Sequence, residues 1–208
     1  MRSNSGKGDI IAFEHAIVLT GGIATGKSTI GRMLQEKGFV IIDADKIAHK
    51  MLDEQHIQIA KLFGDTFVIE GKVDRKALGS VVFAHPDKRK ILEALLHPLI
   101  YSEIENQSSR EDTKGKIYFV DIPLFFETNR YPISRSLLVY TTKMQQLNRL
   151  MQRDGYNTQN AQQRIDAQMS IDEKRQKATY VIDNTGTLQQ LETECDRVIE
   201  QILREEQE

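Results

Sequence analysis

The feature that most constrains this chain is the stretch at residues 21–29, which reads GGIATGKST and fits the pattern G-x-x-x-x-G-K-S. The apolar run AIVL precedes it at residues 16–19, and a helical pattern follows it. Between a buried strand and a helix, such a stretch forms a loop whose backbone N–H groups and positive helix end face a polyphosphate. A glycine-rich turn with a chance Lys-Ser pair is the alternative, but the strand before it and the helix after it favour a nucleotide-phosphate loop.

Each residue type in this phosphate loop suits one part of a bound nucleotide. Gly21 and Gly26 allow close backbone approach and unusual φ angles. Lys27 can reach the β- and γ-phosphates, and the hydroxyl of Ser28 can ligate Mg²⁺. The predicted nucleotide-binding residues are Gly22, Ile23, Ala24, Thr25, Gly26, Lys27, Ser28 and Thr29, with Arg149 and Arg153 from later in the chain.

Composition indicates a globular cytoplasmic protein. Of the 208 residues, 39% are hydrophobic and 28% are charged, which is typical of a chain that buries a core. The net charge of −2 gives no general basic surface, so we expect no nucleic-acid partner. The single cysteine, Cys195, excludes an internal disulfide and a cysteine zinc cluster, and we expect it in the core. No apolar run approaches the roughly 18 residues of a membrane span, and we predict that residues 1–14 form a disordered leader.

Short apolar runs predict the strands of an α/β fold. After the first strand, such runs occur at residues 39–42, 117–120, 137–140 and 180–182. Continuous apolar runs are typical of strands that are covered on both faces, as in a parallel sheet. We therefore predict a five-stranded parallel sheet wrapped by helices.

Two helical stretches interrupt this pattern. Residues 46–102 are mostly helical in periodicity and are predicted to be an insertion that holds a second substrate. Residues 143–177 form a polar, basic helical pair in the usual place for a lid over a phosphate loop. The polar stretch at residues 105–115 is predicted to be a surface loop. The nucleotide-binding core is then assigned to residues 15–45, 103–142 and 178–208.

Two carboxylates follow the second predicted strand. Ligands of open α/β sheets bind at the carboxyl ends of the strands, so Asp43 and Asp45 are expected beside the phosphate loop. Asp45 is our candidate for the base that accepts a proton from a substrate hydroxyl. From spacing alone, an equally good interpretation is that Asp45 caps a helix starting at Lys46. Asp43 is a candidate for a water-mediated metal contact, and Asp121 resembles a metal-binding carboxylate at a strand end.

Basic and imidazole side chains outside the loop are further candidates. Arg149 and Arg153 stand four apart on a helix and share one face, where both can close over phosphates. A solvated basic face is the competing interpretation. Arg75 is a candidate for holding an anionic substrate or for an exposed ion pair. His97 is a candidate for a hydrogen bond to substrate, although a lone histidine beside leucines is more often structural.

Taken together, the ordered motifs resemble the dephospho-CoA kinase family. The resemblance covers residues 16–203 and depends on more than the phosphate loop, which many enzyme types share. The matching segments are LTGGI at 19–23, IDADKIA at 42–48, FG at 63–64, DR at 74–75, LG at 78–79, VF at 82–83, LHP at 96–98, PLFFE at 123–127, Gln146, Arg149, MQRD at 151–154, Gln168 and VIDN at 181–184.

This resemblance implies a three-layer P-loop NTPase fold with a helical acceptor-binding insertion and a helical lid. It also implies ATP-dependent phosphorylation of the ribose 3′-hydroxyl of dephospho-CoA, the last step of coenzyme A synthesis, with Mg²⁺ at Ser28. Catalytic roles are implied for Asp45, Lys27 and Arg149. Acceptor-binding roles are implied for Asp45, Arg75 and His97, and ATP contacts from the lid for Arg149 and Arg153. The sequence does not predict the oligomeric state.

Three positions depart from the family pattern, and two other functions remain open. Ala24-Thr25 replaces a usual Gly-Ser in the loop, and Thr179 replaces a usual aspartate before the last strand. One alternative is another small-molecule or nucleoside kinase on the same scaffold. The other is a non-catalytic nucleotide switch or assembly ATPase, in which the lid is an interaction surface.

Overall fold

The structure, a computed structural model, describes residues 12–207. Residues 1–11 of the predicted leader lie outside the described residues. The leader prediction is wrong for residues 12–14, because Phe13 is buried and its backbone N–H donates a 2.7 Å hydrogen bond to the Asp112 carboxylate. Ala12 and Phe13 therefore belong to the packed core.

Seven strands are present in the described residues. They are β1 (Ala16–Gly21), β2 (Ile41–Asp43), β3 (Val68–Ile69), β4 (Lys72–Val73), β5 (Tyr118–Asp121), β6 (Ser136–Tyr140) and β7 (Tyr180–Asp183). Five of them form one sheet in the order β2-β5-β1-β6-β7, with every neighbouring pair parallel. The predicted five-stranded parallel sheet is confirmed, while β3 and β4 form a separate antiparallel hairpin.

The described part of the chain contains ten α-helices. They are α1 (Lys27–Glu36), α2 (Ala44–Glu54), α3 (His56–Phe63), α4 (Arg75–Ala84), α5 (Pro86–Asp112), α6 (Phe125–Thr128), α7 (Lys143–Asp154), α8 (Thr158–Asp166), α9 (Ile171–Lys177) and α10 (Leu188–Glu205). A short 3₁₀ helix, Asp65–Phe67, precedes β3.

The core lies on both faces of the sheet. Successive residues of a strand point to opposite faces, and β1 shows this: Val18 packs with side chains of α2 and α5, whereas Ile17 and Leu19 pack with side chains of α1 and α10. Cys195 of α10 is fully buried in the second cluster, as its apolar surroundings in the sequence predict. The sheet and its two helical layers give the three-layer fold that the resemblance implies.

The stretch at residues 105–115 is not a loop. Helix α5 continues to Asp112 because Ile104, Ser108 and Asp112, spaced four apart, are all buried on one face. Asp112 accepts hydrogen bonds from the backbone of Phe13 and His15 and from the Tyr118 hydroxyl. The stretch at residues 105–115 is polar because most of this part of α5 faces solvent and because Asp112, at its end, is a buried polar residue.

The two predicted insertions are helical but differ in detail from the prediction. The first contains the β3-β4 hairpin, whose strands of two residues each are too short to give a periodic signal. The second, residues 143–177, contains three helices, α7, α8 and α9, in place of a pair. We refer to residues 143–177 as the lid segment.

Candidate active site

The phosphate loop connects β1 to the first turn of α1, as its flanking pattern predicts. Gly26 precedes the helix with φ +94°, a left-handed conformation that favours glycine. A Cβ atom at Gly26 would clash with Nδ2 of Asn184. Glycine is therefore required here by both backbone conformation and space.

The two departures within the loop fit the structure. Ala24 has φ +60°, so this alanine occupies a left-handed conformation that glycine adopts at lower cost. Thr25 is buried and its hydroxyl donates a 2.9 Å hydrogen bond to the carbonyl oxygen of Gly22, a contact that serine can also make. The third departure, Thr179, accepts the backbone N–H of Ser136 at 3.1 Å and so joins β6 to the segment before β7.

A cavity of about 460 Å³ opens over the loop. Its lining brings together most of the side chains that the sequence predicts for the donor site. The lining residues are Gly21, Gly22, Ile23, Ala24, Thr25, Gly26, Lys27, Ser28, Asp45, Pro123, Arg149, Arg153 and Gln168. We call it the phosphate cavity.

Lys27 and Asp121 form an ion pair at the base of this site. The Lys27 ammonium lies 2.5 and 2.6 Å from the two carboxylate oxygens of Asp121, which is the last residue of β5. Burial raises the pKa of Asp121, the Lys27 charge opposes that rise, and the carboxylates of Asp43 and Asp45 add to it. The carboxylates of Asp43 and Asp45 are therefore close enough to Asp121 to affect its ionisation. Lys27 is the cation that compensates the charge of the buried Asp121.

Asp43, and not Asp45, caps the helix that follows β2. The Asp43 side chain accepts the backbone N–H of Lys46 at 2.9 Å, so α2 begins at Ala44. Asp45 lies in the first turn of α2, is exposed, and has no hydrogen-bond or ion-pair partner among residues 12–207. The capping interpretation of Asp45 is wrong, and its carboxylate remains open to the cavity.

A second cavity of about 670 Å³ adjoins Asp45 on its other side. We call it the aromatic cavity, because the rings of Tyr101 and Tyr131 stack there with centroids 5.4 Å apart. His97 lines it too; burial lowers the pKa of its imidazole, and the positive charge of Arg130 lowers it further. Asp45 lines both cavities, so its single carboxylate borders the phosphate cavity and the aromatic cavity.

The two predicted lid arginines both lie beside the phosphate loop, but their side chains have different partners. The Arg149 guanidinium donates to the carbonyl oxygen of Asn184 at 2.8 Å, and the Asn184 side chain in turn donates to the carbonyl oxygen of Thr25 at 2.7 Å. Arg153 is exposed and pairs with the neighbouring Asp154 at 2.8 Å. Arg149 is thus part of the loop's support, while Arg153 is directed to solvent at the mouth of the cavity.

Among the predicted site residues, Thr29 of α1 lines neither cavity, and neither does Arg75. It lies at the start of α4, is half exposed, and pairs with Asp53 at 3.5 Å. An exposed ion pair was one of the two interpretations that the sequence left open for this residue.

Side chains of the lid segment hold the loop backbone, a role that no local pattern in the sequence predicts. Gln146 donates to the carbonyl oxygen of Ile23 at 2.7 Å, and Gln168 accepts the N–H of the same residue at 2.8 Å. Lys174 is fully buried and donates to the carbonyl oxygen of Gly21 at 2.9 Å. Their partners lie more than a hundred residues away in the chain; only the family resemblance, which includes Gln146 and Gln168, pointed to two of the three.

Lys174 also joins the lid segment to the chain after β5. Its ammonium lies 2.8 Å from a carboxylate oxygen of Glu127 and 3.3 Å from the carbonyl oxygen of Pro123. The same Glu127 oxygen accepts the backbone N–H of Met169 at 3.1 Å. The buried pair therefore connects three segments that border the phosphate cavity.

Two further properties of the described residues concern membrane spans and metal-ligand clusters. None of the helices within residues 12–207 combines the length and apolar character needed to cross a membrane. Within the same residues, no three His, Cys, Asp or Glu side chains are grouped so that they alone can hold a metal ion.

Comparison with known proteins gives consistent results. The family model described as dephospho-CoA kinase matches residues 15–190. The chain is 44% identical to a dephospho-CoA kinase of Sulfurimonas denitrificans over 92% of this chain and 96% of that protein. It is 43% identical to one of Wolinella succinogenes over 93% and 98% of the two chains. Among solved structures, dephospho-CoA kinase from Campylobacter jejuni superposes with a TM-score of 0.69 at 39% identity, covering 90% of this chain and 97% of that one.

Proposed function

This chain belongs to the dephospho-CoA kinase family, and from that premise we propose that it transfers the γ-phosphoryl group of ATP to the ribose 3′-hydroxyl of dephospho-CoA, giving coenzyme A and ADP. One structural observation carries the assignment of the reacting groups. Asp45 lines both the phosphate cavity and the aromatic cavity, so a donor in the first and an acceptor in the second meet at its carboxylate.

The donor half of the proposal places the ATP phosphates in the phosphate loop. Residues of the loop and of the first turn of α1 line the cavity, and the N–H groups at such a helix N-terminus favour negative charge. Lys27 contacts Asp121 in this structure and lies on the cavity wall, from which its ammonium can turn to the β- and γ-phosphates. Phosphoryl transfer depends mainly on such positioning and on neutralising charge.

We also propose Mg²⁺ as the metal that accompanies ATP, with the Ser28 hydroxyl as a direct ligand. The residues fit this ion: Ser28, Asp121 and Asp43 offer hard oxygen donors at the edge of the sheet, and Mg²⁺ is commonly held by one or two carboxylates plus substrate phosphates. When bound, the ion would neutralise charge on the β- and γ-phosphates.

The acceptor half of the proposal depends on Asp45. Asp43 caps α2 and Asp121 pairs with Lys27, and we assign both carboxylates to the metal side of the site, whereas the Asp45 carboxylate has no partner among residues 12–207. Its carboxylate is therefore the one available to accept a hydrogen bond, and then the proton, from a substrate hydroxyl. His97 and the stacked tyrosines supply a hydrogen-bonding group and aromatic surface for the acceptor in the adjoining cavity.

The arginines have separate proposed roles. Arg149 supports the loop through Asn184 and is placed to contact the phosphates. Arg153 reaches ATP by exchanging its exposed partner Asp154 for a phosphate oxygen. Arg75 binds the acceptor only if it leaves Asp53 when dephospho-CoA enters. We place the enzyme in the cytoplasm, where one cysteine and no disulfide are expected.

The test is ADP release by the purified chain, measured in a coupled assay with MgATP and a panel of acceptors. We expect turnover with dephospho-CoA and little with nucleosides, shikimate or gluconate. Turnover with one of those acceptors in its place would show another kinase on this scaffold. ATP hydrolysis that no acceptor stimulates would favour the switch or assembly ATPase, and either result would refute the proposal.

A further inference from the structure

Gln168 occupies a position that the reaction described above does not yet use. It lies between α8 and α9 and lines the phosphate cavity and the aromatic cavity together with Asp45. It also lines a third cavity, which extends between α8 and the exposed Phe83 of α4. Among the side chains that border these three cavities, Gln168 is the one common to all of them.

The orientation of the Gln168 amide is fixed by its partner. A backbone N–H can only donate, so the atom that lies 2.8 Å from the Ile23 nitrogen must be the side-chain oxygen. The amide nitrogen consequently points away from Ile23. It donates to no acceptor within residues 12–207, and the side chain is half buried, so both of its N–H donors are available.

These donors border the space that the transferred group must cross. In the proposed reaction the phosphates would lie against the loop and Lys27 and the acceptor hydroxyl against Asp45, and all of these residues line one cavity. Gln168 belongs to that wall and to the wall of the adjoining aromatic cavity. In phosphoryl transfer the charge is spread over three equatorial oxygens, and donors already aimed at that charge stabilise the transition state.

We propose that the side-chain nitrogen of Gln168 donates a hydrogen bond to a non-bridging oxygen of the phosphoryl group in transit, which makes Gln168 a catalytic residue. This inference rests on the proposed kinase function. The side-chain oxygen holds the Ile23 peptide at the same time, so the loop fixes the amide before substrate arrives. The lid segment then contributes a neutral donor in addition to its arginines.

A purely structural role for Gln168 makes a different prediction. In that case Gln168 would only hold the loop through the Ile23 N–H, as Gln146 holds it through the Ile23 carbonyl oxygen. The two roles use different atoms of one amide and can be separated. Gln168→Glu keeps the length of the side chain and an oxygen for the Ile23 N–H, but removes the donor.

The experiment compares Gln168→Glu with Gln163→Glu in steady-state assays with MgATP and dephospho-CoA. Gln163 is an exposed residue of α8 that borders the third cavity alone, so its variant adds the same charge nearby without touching the phosphate cavity. We expect kcat of Gln168→Glu to fall by about 100-fold, as for loss of one transition-state donor, and that of Gln163→Glu by less than about threefold. The Kd of MgATP, from titration calorimetry without acceptor, should rise by less than about tenfold in both.

Two results would overturn the inference. One is a kcat for Gln168→Glu within about threefold of the Gln163→Glu value; the other is a rise in the Kd of MgATP as large as the fall in kcat, which would indicate a distorted loop. If Gln168→Glu does not fold, the uncharged Gln168→Met takes its place; because it also loses the Ile23 contact, it must lose at least about tenfold in kcat while the Kd of MgATP rises by less than about threefold. Wild-type turnover with dephospho-CoA in the same assay keeps failure of this inference distinct from failure of the proposed function.

Discussion

Replacing the buried Lys174 by methionine should destabilise the protein strongly. The ammonium is fully buried, and its three acceptors, Glu127, Gly21 and Pro123, lie at 2.8, 2.9 and 3.3 Å. Methionine fills a similar volume but leaves the Glu127 carboxylate without its cation. Removing one partner of a buried ion pair costs about 3–5 kcal/mol. Because Glu127 is 20% exposed and keeps its bond from Met169, we expect the lower end, about 3 kcal/mol.

The assay is urea unfolding followed by circular dichroism, with the free energy of unfolding obtained by linear extrapolation. Lys177→Met is the matched control, since Lys177 is an exposed residue of the same helix, and its effect should stay within about 0.5 kcal/mol. The double variant Lys174→Met/Glu127→Gln should recover at least about 1 kcal/mol relative to the sum of the single changes, because no unpaired charge remains. A cost below about 1 kcal/mol for Lys174→Met, or additive single effects, would refute the reasoning.

Three other changes test the site and its support. Gly26→Ala should lower the free energy of unfolding by about 1–2 kcal/mol more than Gly155→Ala does, because both glycines have positive φ but only at Gly26 would a Cβ meet Asn184. Equal losses in the two variants would refute the clash. Asp45→Asn should lose turnover by at least about 100-fold while calorimetry shows unchanged MgATP affinity; full turnover would mean that Asp45 is not the base. His97 has a lowered folded pKa, so its contribution to stability is present above the ordinary histidine pKa of about 6.5 and is lost as pH falls below it. The unfolding free energy of His97→Gln should therefore fall less steeply than that of wild type between about pH 6.5 and 5, and parallel profiles would contradict this.

The sheet and the phosphate loop were predictable because their signals are local. Each strand of the sheet is a short apolar run, and the loop pattern sits between a strand and a helix as its chemistry requires. Asp45 followed from the same logic, because a residue after the strand β2 must lie at the ligand-binding edge. The sequence could not decide whether Asp45 is the base or the cap of the next helix, since the answer depends on the residue at which that helix begins.

The remaining features depend on contacts between distant parts of the chain. Lys174 lies in the polar run DEKRQK, which indicates a solvated helix, yet it is the most buried charged side chain of the site. Its burial becomes clear only when Gly21 and Glu127 are brought beside it by the fold. The polar end of α5 was mistaken for a loop for the same reason: Asp112 finds its partners near residue 13, almost a hundred positions away.

The most direct test of the central claim is the position of the new phosphate in the product. Purified chain, MgATP and dephospho-CoA are incubated together, and the product is examined by ³¹P NMR and by the proton signals of its ribose. The account predicts one new phosphomonoester, coupled to the proton on the ribose 3′-carbon, in wild type and its near loss in Asp45→Asn. No phosphomonoester, or one at another hydroxyl, would contradict it.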